Sequence, residues 1–163
     1  MAERLFPDRV STAGEASTAE KVVAEALEWI GTPYRHQGSR KCVGCDCLGL
    51  VRGVWRTLYG FDLEEPGAYA PDWAEAGGRE RLMDAARRHF RARAPDESAP
   101  GDLLLFRWKP YVPAKHLGIL IDGASFVHAY EGAGAVMRSV LVPQWRGRIA
   151  AVFTFPDRQN RSN

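Results

Sequence analysis

Apolar residues recur at helical spacing before residue 60 and in short extended-type runs after residue 100, and the two patterns never alternate along the chain. A parallel sheet needs that alternation, because each crossover between parallel strands carries a helix. The segregation therefore predicts an α+β fold, with N-terminal helices packed on a central antiparallel β-sheet. Ser17 and Glu20 have capping-box spacing, and Val22, Val23, Ala26, Leu27 and Ile30 then share one helical face until Gly31 and Pro33 close it. Asp46 is placed to cap a second helix, with Leu50, Val51, Val54 and Leu58 on its inner face and Gly60 as its stop. A third helix is expected around Arg79 to Phe90 through Leu82, Met83, Ala86 and Phe90. The runs Leu103 to Trp108, Leu117 to Ile121, Ser125 to Tyr130, Ala135 to Leu141 and Ile149 to Phe155 are bounded by turn-forming residues and read as strands.

At 163 residues, 45% hydrophobic and 26% charged, the chain fits one folded domain. Its expected bounds are 17–156, after an N-terminal arm of 1–16 and before a C-terminal tail of 157–163. The 22 basic and 20 acidic side chains leave a net charge of +2, too balanced for electrostatic nucleic-acid binding. No apolar run approaches the roughly 18 residues of a membrane span, so no membrane insertion is expected. MAERLFPDRV lacks the apolar segment of a Sec-type leader, which predicts synthesis in the cytoplasm and export, if any, by another route. The stretch 62–100, rich in Pro, Gly and acid at its start, reads as a lid or docking excursion.

Chemistry concentrates at Cys42, Cys45 and Cys47, and three readings stay open. A cysteine in the first turn of a helix meets free N–H groups and the positive end of the helix dipole, which favours a nucleophilic thiolate at Cys47. Zinc held by His36, Cys42, Cys45 and Cys47 is the second reading, weakened by the crowding of three thiols into six residues. Buried packing is the third, preferred for Cys42 and Cys45. A nucleophilic cysteine needs a base. His89 lies among arginines and reads as a surface residue, and His36 sits in a loop. His116 and His128 fall on neighbouring strands and can supply a base and an orienting group.

The segments GTPYRHQG, GCDCLGLVRGVW, PGDLLLF, KHLGILI and SFVHAYEG resemble, in this order, the signature blocks of the NlpC/p60 family of cysteine peptidases. Within it the sequence looks most similar to phage-type cell-wall peptidases from the tail tips of bacteriophages and gene transfer agents. The resemblance implies a papain-like fold, no cofactor and no metal. It makes Cys47 the nucleophile, His116 the base, His128 the orienting residue and Tyr34 a contributor near the oxyanion. Asp46 and Arg35 join Tyr34 as oxyanion- or substrate-side candidates, with Arg40 and Lys41 as further cations for substrate carboxylates. The implied substrate is a peptidoglycan stem peptide, commonly cut between D-glutamate and a diamino acid. The implied partners are tail-tip or baseplate proteins, and the implied place of action is the wall of a target cell reached in a phage-like particle. Many relatives carry serine after the nucleophile, where this chain has Leu48, so substrate details do not carry over. The alternatives are a structural tail or baseplate module with vestigial activity, and a zinc-binding module.

Strand parity adds a geometric condition. A two-residue turn at Asp122 and Gly123 would set His116 opposite Ala129 and send His128 to the other face. The histidines share a face only across an odd loop, or across a bulge that restores the same parity. The shortest odd loop is Asp122, Gly123 and Ala124, pairing Ile121 with Ser125 and Gly118 with His128, with Gly123 free to take positive φ.

Overall fold

The computed structural model describes residues 14–64 and 76–157. Most of the expected arm, residues 65–75 of the excursion and nearly all of the tail lie outside the described residues.

Helix α1 (Thr18–Glu28) starts at a reciprocal cap. The Ser17 hydroxyl accepts from Glu20 N–H at 3.2 Å, and Ser17 N–H donates to the Glu20 carboxylate at 3.1 Å. Val22 and Ala26 are buried, with Val23 and Leu27 packed beside them. Ile30 departs from the expected face: the helix ends at Glu28, and Ile30 is exposed. Trp29 is buried instead, its indole N–H donating to Glu25 at 3.0 Å. The loop that follows is more ordered than its lack of period suggests, because β1 (Ser39–Arg40) pairs antiparallel with β2 (Gly44–Cys45).

Helix α2 (Cys47–Tyr59) runs as expected from Asp46 to Gly60, which ends it at φ 79°. Asp46 Oδ1 accepts Gly49 N–H at 2.7 Å, satisfying a donor that the first turn leaves unpaired. Gly49 is required by contact: a Cβ there would overlap the backbone carbonyl of Gly38, so the 35–38 loop can lie directly on the start of α2. Helix α3 (Arg81–His89) is shorter than expected and buries Leu82, Met83 and Ala86.

Among the described residues six strands form one antiparallel sheet: β3 (Arg91–Arg93), β4 (Leu103–Phe106), β5 (His116–Leu120), β6 (Ser125–Tyr130), β7 (Ala135–Val140) and β8 (Ile149–Thr154). Their spatial order is β3-β8-β4-β5-β6-β7. The edge strand β3, of sequence RAR, carries no hydrophobic alternation and was not foreseen. Side chains alternate across the sheet with period two. Leu103, Leu105, Leu117, Ile119 and Val127 join the α1–α2 core, with Leu50, Val51 and Val54 opposite them. Leu104, Phe106, Leu120, Phe126 and Val152 form a second cluster against Trp145, on the short helix α4 (Pro143–Arg146). Both faces are thus dry, which is why β4 is buried at every position.

The turn between β5 and β6 has the required parity. Ile119 pairs with Val127 and Leu120 with Phe126, leaving Asp122, Gly123 and Ala124 as an odd loop closed by Ile121 N–H to Ser125 O at 2.9 Å. Gly123, free to take positive φ, does not use that freedom. The Asp122 carboxylate shapes the turn instead, accepting Ala124 N–H at 2.8 Å and the Ser125 hydroxyl at 2.9 Å.

Candidate active site

The first turn of α2 and the start of β5 meet at a cleft of ≈ 140 Å³, lined by Tyr34, Asp46, Cys47, Leu48, Trp108, Lys115 and His116 among others. Leu82 of α3 supplies part of one wall. Cys47 Sγ points toward the carbonyl oxygen of Lys115 at 3.9 Å, a long contact beside the imidazole of the next residue. Backbone N–H groups of Leu117, Leu48 and Cys47 face the sulfur and favour a thiolate, but burial and the neighbouring Asp46 charge outweigh them and push the thiol up to about 12. The expectation of a resting thiolate is therefore corrected. The helix terminus contributes fixed partial charges, yet the desolvated, anion-flanked sulfur holds its proton in the free protein.

His116 is buried as the first residue of β5, and its Nε2 lies 2.8 Å from His128 Nδ1. That contact leaves Nδ1 as the ring nitrogen of His116 free to serve the cleft. Trp108 stacks on the His116 ring at 5.5 Å and 21°, while Phe106 and Trp145 approach it from the second cluster. Burial, then His128 and the Lys115 charge, hold His116 well below the ordinary histidine range. His128 is fully buried, and that burial drives it down to about 4. Its Nε2 lies 2.8 Å from Ser139 Oγ on β7. Both imidazoles are neutral at physiological pH, as is the Cys47 thiol, and of the two histidines only His116 lines the cleft with it.

Tyr34 is half-buried at the cleft, anchored by its N–H to Gly134 O at 2.8 Å. Burial and the nearby Cys47 and Asp46 charges raise its phenol, so it stays a neutral O–H donor. Asp46 lines the cleft, but its oxygens are engaged with backbone, Oδ1 with Gly49 N–H and Oδ2 with Gln37 N–H at 2.8 Å. It is an acceptor that anchors the 35–38 loop to α2 while forming part of the cleft lining beside Cys47. Arg35 is exposed, lies outside the cleft lining and packs its stem over Gly44. Arg40 also lies outside the lining, and Lys41 is held by Glu25 at 2.7 Å and Glu28 at 2.8 Å. Among the described residues the lysine or arginine in the cleft wall is Lys115, which sequence reasoning missed although it precedes His116. His36 lines the rim, and His89 bonds to Glu64 at 3.0 Å.

Ser139 was missed as well. Its only signal is register: Phe126 pairs with Ser139 and His128 with Met137, which puts Ser139 on the His128 face one diagonal step away. Cys42 is exposed and Cys45 buried, both as free thiols. Among the described residues no group of three or more His, Cys, Asp or Glu side chains is arranged for a metal ion, so His36, Cys42, Cys45 and Cys47 do not form the alternative zinc set. Among the described residues no helix is long and apolar enough to cross a membrane.

A cysteine opening a buried helix, beside paired histidines on an antiparallel sheet, defines the class of papain-like α+β domains. The chain belongs to the NlpC/P60 family, whose model matches residues 31–154. It is 28% identical over 128 residues to the murein DD-endopeptidase MepS/murein LD-carboxypeptidase of Escherichia coli K12, an alignment covering 78% of this chain and 58% of that protein. It is 34% identical over 113 residues to the probable endopeptidase NlpC of the same strain, covering 69% and 62%. This chain therefore spans about three fifths of the length of these relatives. In fold it is similar to the peptidoglycan hydrolase RipB of Mycobacterium tuberculosis, with TM-score 0.59, 20% identity and coverage of 86% and 65%.

Proposed function

We propose that this protein is a cysteine peptidase that hydrolyses an amide bond in peptidoglycan stem peptides. The observation that carries the reading is the placement of Cys47 and His116 on one cleft, with His116 Nε2 engaged by His128 and its Nδ1 left for proton transfer. Family membership and relatives named as murein and probable endopeptidases support the substrate class.

In the reaction Cys47 gives its proton to His116 Nδ1 as its sulfur attacks the substrate carbonyl carbon. Starting from a neutral pair, the transfer and the attack are coupled, and substrate binding supplies the geometry that the 3.9 Å contact with Lys115 O does not. The oxyanion is held by the Cys47 backbone N–H and the neutral Tyr34 hydroxyl. His116 then protonates the departing amine, the C–N bond breaks, and a thioester remains. Water attacks the thioester while His116 takes its proton. The sulfur leaves, is reprotonated, and a carboxylate product departs. Lys115 places one cation in a cleft lining that also carries Asp46 and Glu131, and is the group there that can pair with a stem-peptide carboxylate.

The sequence resemblance further supports a place in the tail tip of a phage-like particle that opens the wall of a target cell. Immunogold labelling of purified particles tests that placement, which fails if label stays with unassembled protein. For the activity, dye-labelled sacculi incubated with the protein should release soluble fragments, and Cys47→Ala should release none. Equal release by both proteins would end the cysteine-peptidase reading.

A further inference from the structure

We propose that Ser139 is a positioning residue which fixes the tautomers of His128 and His116, so that the free nitrogen of His116 can receive the Cys47 proton. The inference rests on the peptidase reading for its purpose, but its geometry is independent of substrate. Two contacts of 2.8 Å join Ser139 Oγ, His128 Nε2, His128 Nδ1 and His116 Nε2 in one chain.

Two neutral imidazoles sharing one hydrogen bond have two proton arrangements. In the first, His116 carries its proton on Nε2 and donates to His128 Nδ1, so His128 carries its own on Nε2 and donates to Ser139 Oγ. In the second, His128 donates from Nδ1 to His116 Nε2, and the His116 proton sits on Nδ1. Only the first leaves His116 Nδ1 with a lone pair for the thiol proton. It is also the only one compatible with a protonated His116, whose Nε2–H must find an acceptor in His128.

The productive arrangement puts an N–H on His128 Nε2, and His128 is fully buried. A buried donor without an acceptor is costly, so this tautomer needs the oxygen of Ser139. The hydroxyl is suited to accept because Ser139 is half-buried at the sheet margin and can turn its own O–H outward. Phe126 lies at 4.4 Å, Trp145 at 5.2 Å and Tyr130 at 5.4 Å from the His128 ring, centroid to centroid. Among the described residues, Ser139 Oγ is the group that the structure places in hydrogen-bond contact with Nε2. Removing the hydroxyl would therefore favour the second arrangement and disarm His116 without touching Cys47.

The test is ¹⁵N NMR of the histidine side chains in the free protein at neutral pH, combined with kinetics on sacculi. In the wild type, both His116 and His128 should carry their proton on Nε2. Ser139→Ala should move both protons to Nδ1 and lower kcat about 10- to 100-fold, by analogy with the hydrogen-bond partners that orient metal-bound histidines, with KM little changed. Ser139→Thr, which keeps the hydroxyl, should restore tautomers and kcat together. Wild-type tautomers persisting in Ser139→Ala, or a wild-type His116 protonated on Nδ1, would overturn the proposal. So would a loss of thermal stability alone. Correct tautomers in a protein that leaves sacculi intact would uphold this role while refuting the peptidase reading.

Discussion

His116 Nε2 and His128 Nδ1 lie 2.8 Å apart because a three-residue loop, Asp122 to Ala124, brings their strands together with both rings on the same face. A one-residue change in that loop would reverse the parity and separate them. His116 opens its strand at the cleft, and His128 lies behind it in the aromatic cluster. Replacing His116 by alanine should abolish turnover, whereas His128→Ala should leave a measurable residue, because an orienting group acts on the base without itself moving the proton. Steady-state kinetics on sacculi decides the order, and a larger loss at His128 would mean that the two roles are exchanged.

The thiols should react in an order opposite to that expected of an activated cysteine. Burial and Asp46 hold Cys47 protonated at neutral pH, whereas Cys42 is exposed. Iodoacetamide at pH 7 should therefore modify Cys42 first, with Cys47 labelling slowly until substrate or an electrophilic peptide enters the cleft. Peptide mapping after timed quenching reads the order, and prior labelling of Cys47 would show a resting thiolate.

Stability should fall on acidification. His128 titrates near 6.5 when unfolded and at about 4 when folded, so below pH 6.5 the unfolded chain binds a proton that the folded chain refuses. The stabilisation is complete above pH 6.5 and lost as pH drops toward 4, with about 3 kcal/mol at stake for this residue. His116 shifts in the same direction and adds to the decline. Urea titrations from pH 7.5 to 4 should show it, and His128→Gln should flatten the profile. An unchanged profile in that variant would place the acid sensitivity elsewhere.

Gly49→Ala should damage both stability and turnover. Its Cβ would collide with the Gly38 carbonyl, so the 35–38 loop must lift from α2 and take Tyr34 and Gln37 with it. A fall of several degrees in Tm together with reduced kcat is expected, and thermal melts with parallel assays check it. A variant with wild-type Tm would mean that the loop yields without cost.

What could be read from the sequence was local or periodic. The cap at Asp46, the buried face of α2 and its stop at Gly60 depend on neighbours in the chain, and so does the parity of the β5–β6 loop. The α+β architecture followed from the segregation of helical and extended patterns. What escaped depends on tertiary surroundings. The charge state of Cys47 is set by desolvation and Asp46, against a helix terminus that, taken alone, argues the other way. Ser139 enters the site through register across β6 and β7, and Arg35 leaves it because its stem lies over Gly44. The β5–β6 turn leaves the freedom of Gly123 unused, because the Asp122 side chain shapes it through contacts that spacing alone does not show.

The central claim, amide hydrolysis in stem peptides through Cys47, is tested most directly by mass spectrometry of muropeptides after digestion of purified sacculi. The wild-type protein should convert intact stems or cross-linked species into fragments differing by the mass of one water at a single type of amide bond, and Cys47→Ser should leave the profile of untreated sacculi. Cleavage by Cys47→Ser at the same bond, or cleavage confined to glycan linkages, would contradict the account.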